Sequence, residues 1–230
     1  MTPEYIAILK QTSLFAGIAP AKCDKLINCL SPRVKHFAKN EIILMIGDAL
    51  PHMGIVLTGT ASAYLESISG EGTIMSRLTP MSVFGEILVS TRTRKSPVTV
   101  YATSDVAAAF IEYDRLFAIC RKACTAHREF VENMLKAIGD KYFRLFDRIN
   151  ILRETTLRKK IMAYFHGQAG KGDTITLPFT KTMFAEYLLV NRSALSKELG
   201  KMEDDGLIAV NGREIRICEG MPVRRFMSLS

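Results

Sequence analysis

The amino-acid sequence predicts an α+β protein with an N-terminal β-rich domain, a long helix and a C-terminal winged helix-turn-helix domain. Short β-rich runs, broken by glycine-containing turns, fill residues 33–111. An apolar seam at helical spacing runs from Met134 to Leu152. Two short helical patterns and a hairpin pattern follow near the C-terminus. We expect domain boundaries that give segments 1–115, 116–152 and 153–230.

The bulk composition favours a folded protein with a polyanionic partner. Hydrophobic residues make up 48% and charged residues 23% of the 230 residues. Lysine and arginine number 31 against 23 acidic residues, so the net charge is +8, which favours association with polyanions. No uninterrupted apolar run is long enough to span a membrane. The sequence also lacks a P-loop, a GxSxG motif and a zinc-protease motif, so we expect neither an enzyme nor a metal site.

The cysteines favour a reduced, cytoplasmic protein. Their number is odd and their spacing forms no disulfide framework. A metal or redox pair at the two cysteines that lie four residues apart stays an alternative. The five are Cys23, Cys29, Cys120, Cys124 and Cys218.

The N-terminal part starts with a helical pattern from about Pro3 to Leu30 and then turns β-rich. Short strands at regular spacing predict an antiparallel barrel or sandwich. The predicted strands are Glu41–Ile46, Gly54–Leu57, Ala61–Leu65, Thr73–Leu78 and Val98–Ala102.

A long helix follows Tyr113 and continues to about Asn150. A small barrel cannot cover an apolar seam five turns long, so we expect the same helix of a second copy to cover it in a homodimer. The alternative is that the seam packs wholly on its own barrel. A polar, basic stretch from Arg153 to Lys160 is interpreted as a hinge, and a helix over Ile161–Gln168 follows it. The seam consists of Met134, Ile138, Tyr142, Leu145, Ile149 and Leu152.

Two helical patterns with about three residues between them predict the helix-turn-helix. Thr180 can cap the first helix, and Asn191 can cap the second. The first helix buries Phe184, Ala185 and Leu188, and the second buries Leu195, Leu199 and Met202.

The polar face of the second helix is suited to DNA, although such a face is often only solvated. A helix fits the major groove, where arginine, lysine and serine can hydrogen-bond base edges. A hairpin with a type I′ turn at Asn211-Gly212 follows, and its Arg213 and Arg216 could contact phosphates. Besides Arg213 in this wing, the predicted DNA-binding residues are Thr180, Arg192, Ser193, Ser196 and Lys197.

Two stretches, Phe184–Leu199 and Met202–Ile208, resemble the CRP/FNR family of bacterial transcription regulators. The sequence departs from the family pattern at Leu189, where glycine is usual, and at Met183, where an acidic residue is common. The resemblance implies a ligand-responsive homodimer on a palindromic double-stranded DNA site, and RNA polymerase as a partner if the protein is an activator. The alternative is a sensor of the same fold that acts through a protein partner.

The N-terminal part resembles the family's effector domain, a cyclic-nucleotide-binding-like jelly roll. The resemblance rests on Gly47-Asp48, Leu57-Thr58-Gly59 and Phe84-Gly85-Glu86-Ile87. Cyclic-nucleotide binders continue with Arg-Ser-Ala, whose arginine pairs with the phosphate. Here Ser96-Pro97-Val98 occupies that place, and Pro97 also removes an N–H donor.

The resemblance therefore implies an unidentified small-molecule effector other than cyclic AMP, and no certain cofactor. Arg92 or Arg94 could in principle replace the missing arginine. The positions that would meet a purine fall on apolar residues of the long helix, which suit a more hydrophobic ligand. The implied effector-binding residues are Gly85, Glu86, Ser96, Leu145 and Phe146.

Overall fold

The computed structural model describes residues 1–66, 72–117, 125–168, 174–177 and 180–218. The chain divides into two compact units, residues 1–141 and 142–230. The predicted boundaries at residues 115 and 152 stay predictions. The first unit begins with helices α1 (Pro3–Lys10) and α2 (Pro20–Leu30), which a 3₁₀ turn at Ser13–Phe15 separates.

Within the part of the first unit that the structure describes, eight strands form two four-stranded antiparallel sheets, in the orders β1-β8-β3-β6 and β2-β7-β4-β5. This arrangement confirms the predicted β domain and the α+β fold class. The strands are β1 (Arg33–Phe37), β2 (Ile42–Leu44), β3 (His52–Thr58), β4 (Ala61–Glu66), β5 (Gly72–Leu78), β6 (Val83–Phe84), β7 (Thr99–Ala102) and β8 (Val106–Glu112).

Strands β1 and β8 were not among the predicted strands. The β8 sequence contains three consecutive alanines, whose intrinsic preference for strands is low. All six residues from Val106 to Ile111 are nevertheless buried, because β8 lies between β1 and β3 in its sheet. Burial between two neighbouring strands therefore decides the structure here.

The long helix is α4 (Thr125–Leu152), and a short helix α3 (Tyr113–Phe117) precedes it. Cys120 and Cys124 lie outside the described residues. The predicted seam is wrong in its first half, because Met134 is buried and Ile138 packs on the core of the first unit. Its later residues Tyr142, Leu145 and Ile149 are exposed, as the prediction of an uncovered seam requires, and Leu135, Phe143 and Phe146 extend the exposed apolar surface of α4.

In its described residues, the second unit contains the end of α4, three further helices and a three-stranded antiparallel sheet in the order β10-β11-β9. Its aromatic core includes Tyr164, Phe165 and Phe184. The further elements are α5 (Leu157–Gln168), β9 (Thr174–Thr176), α6 (Lys181–Tyr187), α7 (Arg192–Asp204), β10 (Ile208–Asn211) and β11 (Glu214–Ile217).

The predicted hinge over 153–160 is too long. Helix α5 begins at Leu157, four residues before the predicted start at Ile161. The Thr156 hydroxyl accepts a hydrogen bond from the Lys159 N–H at 3.3 Å, so it satisfies a donor in the first turn. Only residues 153–156 separate α4 from α5.

The turn of the predicted hairpin lies one residue further along than expected. Asn211 pairs with Glu214, so the two loop residues are Gly212 and Arg213. Of these two only Gly212 has a positive φ, +61°, whereas a type I′ turn needs a positive φ at both. Glycine at the first loop position is the pattern of a type II′ turn instead.

None of the helices in the described part of the chain is long and apolar enough to cross a membrane.

Candidate functional site

The four side chains predicted to contact bases all lie exposed near the N-terminus of α7. Arg192 and Ser193 occupy its first two positions, and Ser196 and Lys197 follow one turn later. On the opposite face Leu195, Leu199 and Met202 are buried in the core of the second unit. The packing of that core therefore fixes which face of α7 points outward.

The turn before α7 is closed by backbone hydrogen bonds around Leu189. The Val190 N–H donates to the Ala185 carbonyl at 2.9 Å, and the Leu189 N–H donates to the Glu186 carbonyl at 3.1 Å. These two bonds form a Schellman motif, which places Leu189 in the left-handed region with φ of +54°. A branched residue is strained in this conformation, as expected from its position in the family pattern.

Replacing Leu189 by glycine is expected to raise the free energy of unfolding by roughly 0.5–1 kcal/mol. Relief of about 1–2 kcal/mol of left-handed strain outweighs the larger entropy that glycine loses on folding. Leu189 is 55% exposed, so little burial is lost. Leu189→Ala is the control, since alanine keeps the strain and should change stability by less than about 0.5 kcal/mol. Equal urea midpoints for both variants would show that no strain resides here.

Thr180 and Arg213, also predicted to contact DNA, lie at the start of α6 and at the tip of the wing. The Thr180 hydroxyl caps α6 by accepting a hydrogen bond from the Met183 N–H at 3.3 Å. Arg213 is exposed, and its carbonyl accepts a hydrogen bond from the Leu177 N–H at 2.8 Å. Asn191 has the extended backbone of an N-cap, but its side chain makes no capping bond to the described residues.

Helix α7 is held by charged contacts that the sequence did not predict. The Arg158 guanidinium of α5 donates to Glu198 at 2.6 Å and to Asp205 at 2.5 Å. Asp205 follows the last turn of α7, where the helix dipole disfavours negative charge, so the guanidinium offsets this cost. The hydrogen bonds to Glu198 and Asp205 raise the pKa of Arg158. Glu203 also accepts the Val210 N–H at 2.9 Å, which joins α7 to β10.

In the first unit, the predicted effector residues Gly85 and Glu86 form a small polar cluster with Tyr113 and Lys141. Gly85 has φ of +77° and precedes the 3₁₀ turn that starts at Glu86. Lys141 Nζ lies 2.6 Å from Glu86 Oε1, and the buried Glu86 Oε2 has no hydrogen-bond partner among the described residues. Tyr113 and Lys141 were not predicted as site residues, because their contacts with this segment join residues far apart in the sequence.

Tyr113 is held in its protonated form within this cluster. Burial, and then the charge of Glu86, raise the pKa of Tyr113 to about 12. Its hydroxyl therefore donates to the Gly85 carbonyl at neutral pH, at a distance of 2.7 Å. The Arg94 guanidinium lies over the Tyr113 ring at 5.3 Å from the centroid, in a cation–π contact.

The remaining predicted effector residues are placed differently. Ser96 is buried, and its hydroxyl donates to the Val98 carbonyl at 2.7 Å, so it is engaged within its own loop. The loop is also tied to the Gly47-Asp48 turn, because the Ser96 backbone bonds to both turn residues. Leu145 and Phe146 are about half exposed on the part of α4 that belongs to the second unit.

Replacing Lys141 by methionine is expected to lower the free energy of unfolding by roughly 1–3 kcal/mol, because it leaves the Glu86 carboxylate buried without its charged partner. Urea unfolding of the first unit measures the loss. Adding Glu86→Gln to the variant removes the unpaired charge and should restore part of the stability. The pair contributes no net stability if Lys141→Met unfolds at the wild-type urea concentration.

Two known protein families each match a different part of the chain. A cyclic nucleotide-binding domain matches residues 34–123, and a Crp-like helix-turn-helix domain matches residues 147–220. The chain belongs to the CRP/FNR family of transcription regulators. As a member of this family it is a DNA-binding protein, and α6 and α7 lie within the matched helix-turn-helix domain.

Individual relatives agree with this assignment. The anaerobic regulatory protein of Haemophilus influenzae is 23% identical over 201 residues, covering 84% of this chain and 76% of that protein. The structure of CprK complexed with OCPA has a TM-score of 0.66 and 15% identity, covering 84% of this chain and 91% of CprK. The c-di-GMP-responsive regulator CLP of Xanthomonas campestris has a TM-score of 0.60 and 14% identity, covering 85% of this chain and 99% of CLP. At this identity the two structures show a shared fold.

Proposed function

We propose that this CRP/FNR protein is a sequence-specific, ligand-responsive regulator that binds a palindromic DNA site as a homodimer. The proposal rests mainly on four exposed polar side chains at the start of α7, which lie opposite the buried apolar face of this helix. They are Arg192, Ser193, Ser196 and Lys197. Arginine and lysine match the O6 and N7 acceptors of guanine in the major groove, and serine can bond several base edges. Arg213 at the wing tip and Thr180 at the start of α6 add candidate phosphate contacts.

The homodimer rests on the exposed apolar residues of α4. Tyr142, Leu145, Phe146 and Ile149 are each between 47% and 62% exposed and recur at steps of three and four. An apolar helix face of this length fits a second copy of the same helix in a two-fold dimer. The α7 helices of the two copies then act as recognition helices. At a separation of about one DNA turn, roughly 34 Å, they match two inverted half-sites. If the protein is an activator, RNA polymerase is a further partner.

The proposed effector is a small molecule other than cyclic AMP. Ser96 and Pro97 offer no charge for a cyclic phosphate, and the Ser96 hydroxyl is already bonded to Val98. The structural relatives CLP and CprK, as their names state, respond to c-di-GMP and bind OCPA. Different ligands on this fold are therefore compatible with a distinct effector here.

Selection of bound sequences from a random double-stranded DNA pool tests the proposed function. The expected result is enrichment of an inverted repeat whose half-sites lie about one helical turn apart. The same selection with cyclic AMP present should enrich the same sequences to the same extent. Recovery of no common sequence would contradict DNA recognition and favour a sensor that acts through a protein partner. Recovery of a single, unrepeated half-site would contradict the dimer.

A further inference from the structure

Arg148 connects the end of α4 to the helix-turn-helix within the second unit. Its Nε donates to the Tyr187 carbonyl at 3.2 Å, at the C-terminal end of α6. The guanidinium also lies over the Tyr187 ring at 4.8 Å from the centroid. Arg148 is only 7% exposed, so it lies inside the unit and is remote from solvent. The contact places a cation at the negative end of the α6 dipole.

The same face of α4 also packs into the core of this unit. Ile151, three residues after Arg148, is 7% exposed and belongs to the same apolar cluster as Phe165 and Phe184. The Tyr187 ring that Arg148 covers packs edge-on against Tyr164 at 5.6 Å between centroids. The last turns of α4 therefore form part of the structural core that holds the helix-turn-helix.

On the other side of the four-residue segment 153–156, Arg158 holds α7 through Glu198 and Asp205. Each of the two arginines that flank this segment is thus bonded to one helix of the helix-turn-helix. A segment bridged in this way from both ends cannot rotate freely, because rotation would break contacts to α6 and α7 together.

We infer that Arg148 and Arg158 are positioning residues that make the helix-turn-helix a rigid extension of the last turns of α4. The apolar residues Tyr142, Leu145 and Ile149 lie on a neighbouring face of these same turns. The inference rests on the proposed dimer and palindromic site. In that dimer, the two arginines fix the distance between the two α7 helices. Segment 153–156 is then a rigid connection and does not act as the predicted hinge.

The test is a series of operators in which the half-sites are moved apart or together by one or two base pairs. One inserted base pair rotates a half-site by about 35° and shifts it by about 3.4 Å, so a rigid dimer should lose affinity about tenfold or more. Arg148→Met should bind the best operator more weakly and should discriminate between spacings by only about threefold or less. Substitution of a residue that only adds stability would not change the ratio of the affinities for the best operator and for the operators with altered spacing.

Two further variants keep the test decisive. Arg158→Met is expected to relax the spacing preference in the same direction, and its side chain is partly exposed, so folding is preserved. Arg144→Met is the matched control, because Arg144 lies one turn before Arg148 on the same side of α4 and is exposed. It should retain the wild-type discrimination. The inference is overturned if Arg148→Met and Arg158→Met also retain it.

Trypsin cleavage after Arg153 gives a readout that does not depend on DNA. Exposed Arg153 lies in the braced segment, so cleavage should be slow in the wild type and several-fold faster in Arg148→Met, well below the melting temperature. Equal cleavage rates would overturn the inference. If the wild type recognised no paired half-sites, the proposed function would fail. The cleavage rates would still show whether Arg148 makes segment 153–156 rigid.

Discussion

Replacing Arg192 by alanine is expected to lower the affinity for the operator by roughly 5- to 150-fold and to relax base preference at one position in each half-site. These factors correspond to the ~1–3 kcal/mol by which a good side-chain contact discriminates a correct base pair. Arg192 is the first residue of α7 and is exposed, so its removal leaves the core intact. Competition binding, with operators in which each half-site position carries each of the four bases in turn, measures both the loss of affinity and the change in base preference.

Arg213→Ala serves as the comparison for this prediction. As a phosphate contact at the wing tip, it should weaken binding to all sequences alike and reduce the slope of log affinity against log salt by about one. Arg192→Ala should instead act on one base position above all others. The assignment of α7 as the base-contacting helix fails if Arg192→Ala leaves affinity and base preference as in the wild type.

Replacing Ile149 by aspartate is expected to convert the dimer to a monomer at concentrations where the wild type is dimeric. In the dimer the change would bury two unpaired carboxylates on the apolar α4 faces, which weakens association by at least about 100-fold. Ile149 is 48% exposed in the single chain, so the monomer should stay folded. Sedimentation velocity measures the oligomeric state, and affinity for the full operator should fall because the half-sites are no longer bound together.

Lys136→Asp provides the control for the dimer prediction, because Lys136 is exposed on α4 away from the Tyr142–Ile149 face. It adds the same carboxylate to the same helix and should leave the protein dimeric. A dimer that survives Ile149→Asp unchanged would place the contact elsewhere on the surface.

The helix-turn-helix was predictable because its pattern is local. The burial of Leu195, Leu199 and Met202 follows from their spacing, which also assigns Arg192 and Lys197 to the exposed side. The strained position of Leu189 followed from its departure from the family pattern. The apolar seam of α4 was predicted to be uncovered along its whole length, but its first residues, Met134 and Ile138, pack on the first unit. Periodicity alone does not tell which part of an apolar face the protein itself covers.

The contacts that fix the site were not predictable from local patterns. Lys141 meets Glu86 across 55 positions of sequence, and Arg148 meets the Tyr187 carbonyl across 39. Arg158 was assigned to a polar hinge because a basic stretch has the same composition whether it is a linker or the first turn of a helix. Strand β9 was missed for a related reason, since its three residues become a strand only by pairing with β11.

The equilibrium affinity for the selected operator and for a scrambled duplex of equal length tests the central claim most directly, when both are measured across a salt series. Recognition by α7 predicts an operator affinity at least about 1,000-fold higher than that of the scrambled duplex at physiological salt. Both affinities should fall linearly with the logarithm of salt concentration, because phosphate contacts are common to the two complexes. Equal affinities for the two duplexes at every salt concentration would contradict sequence-specific binding.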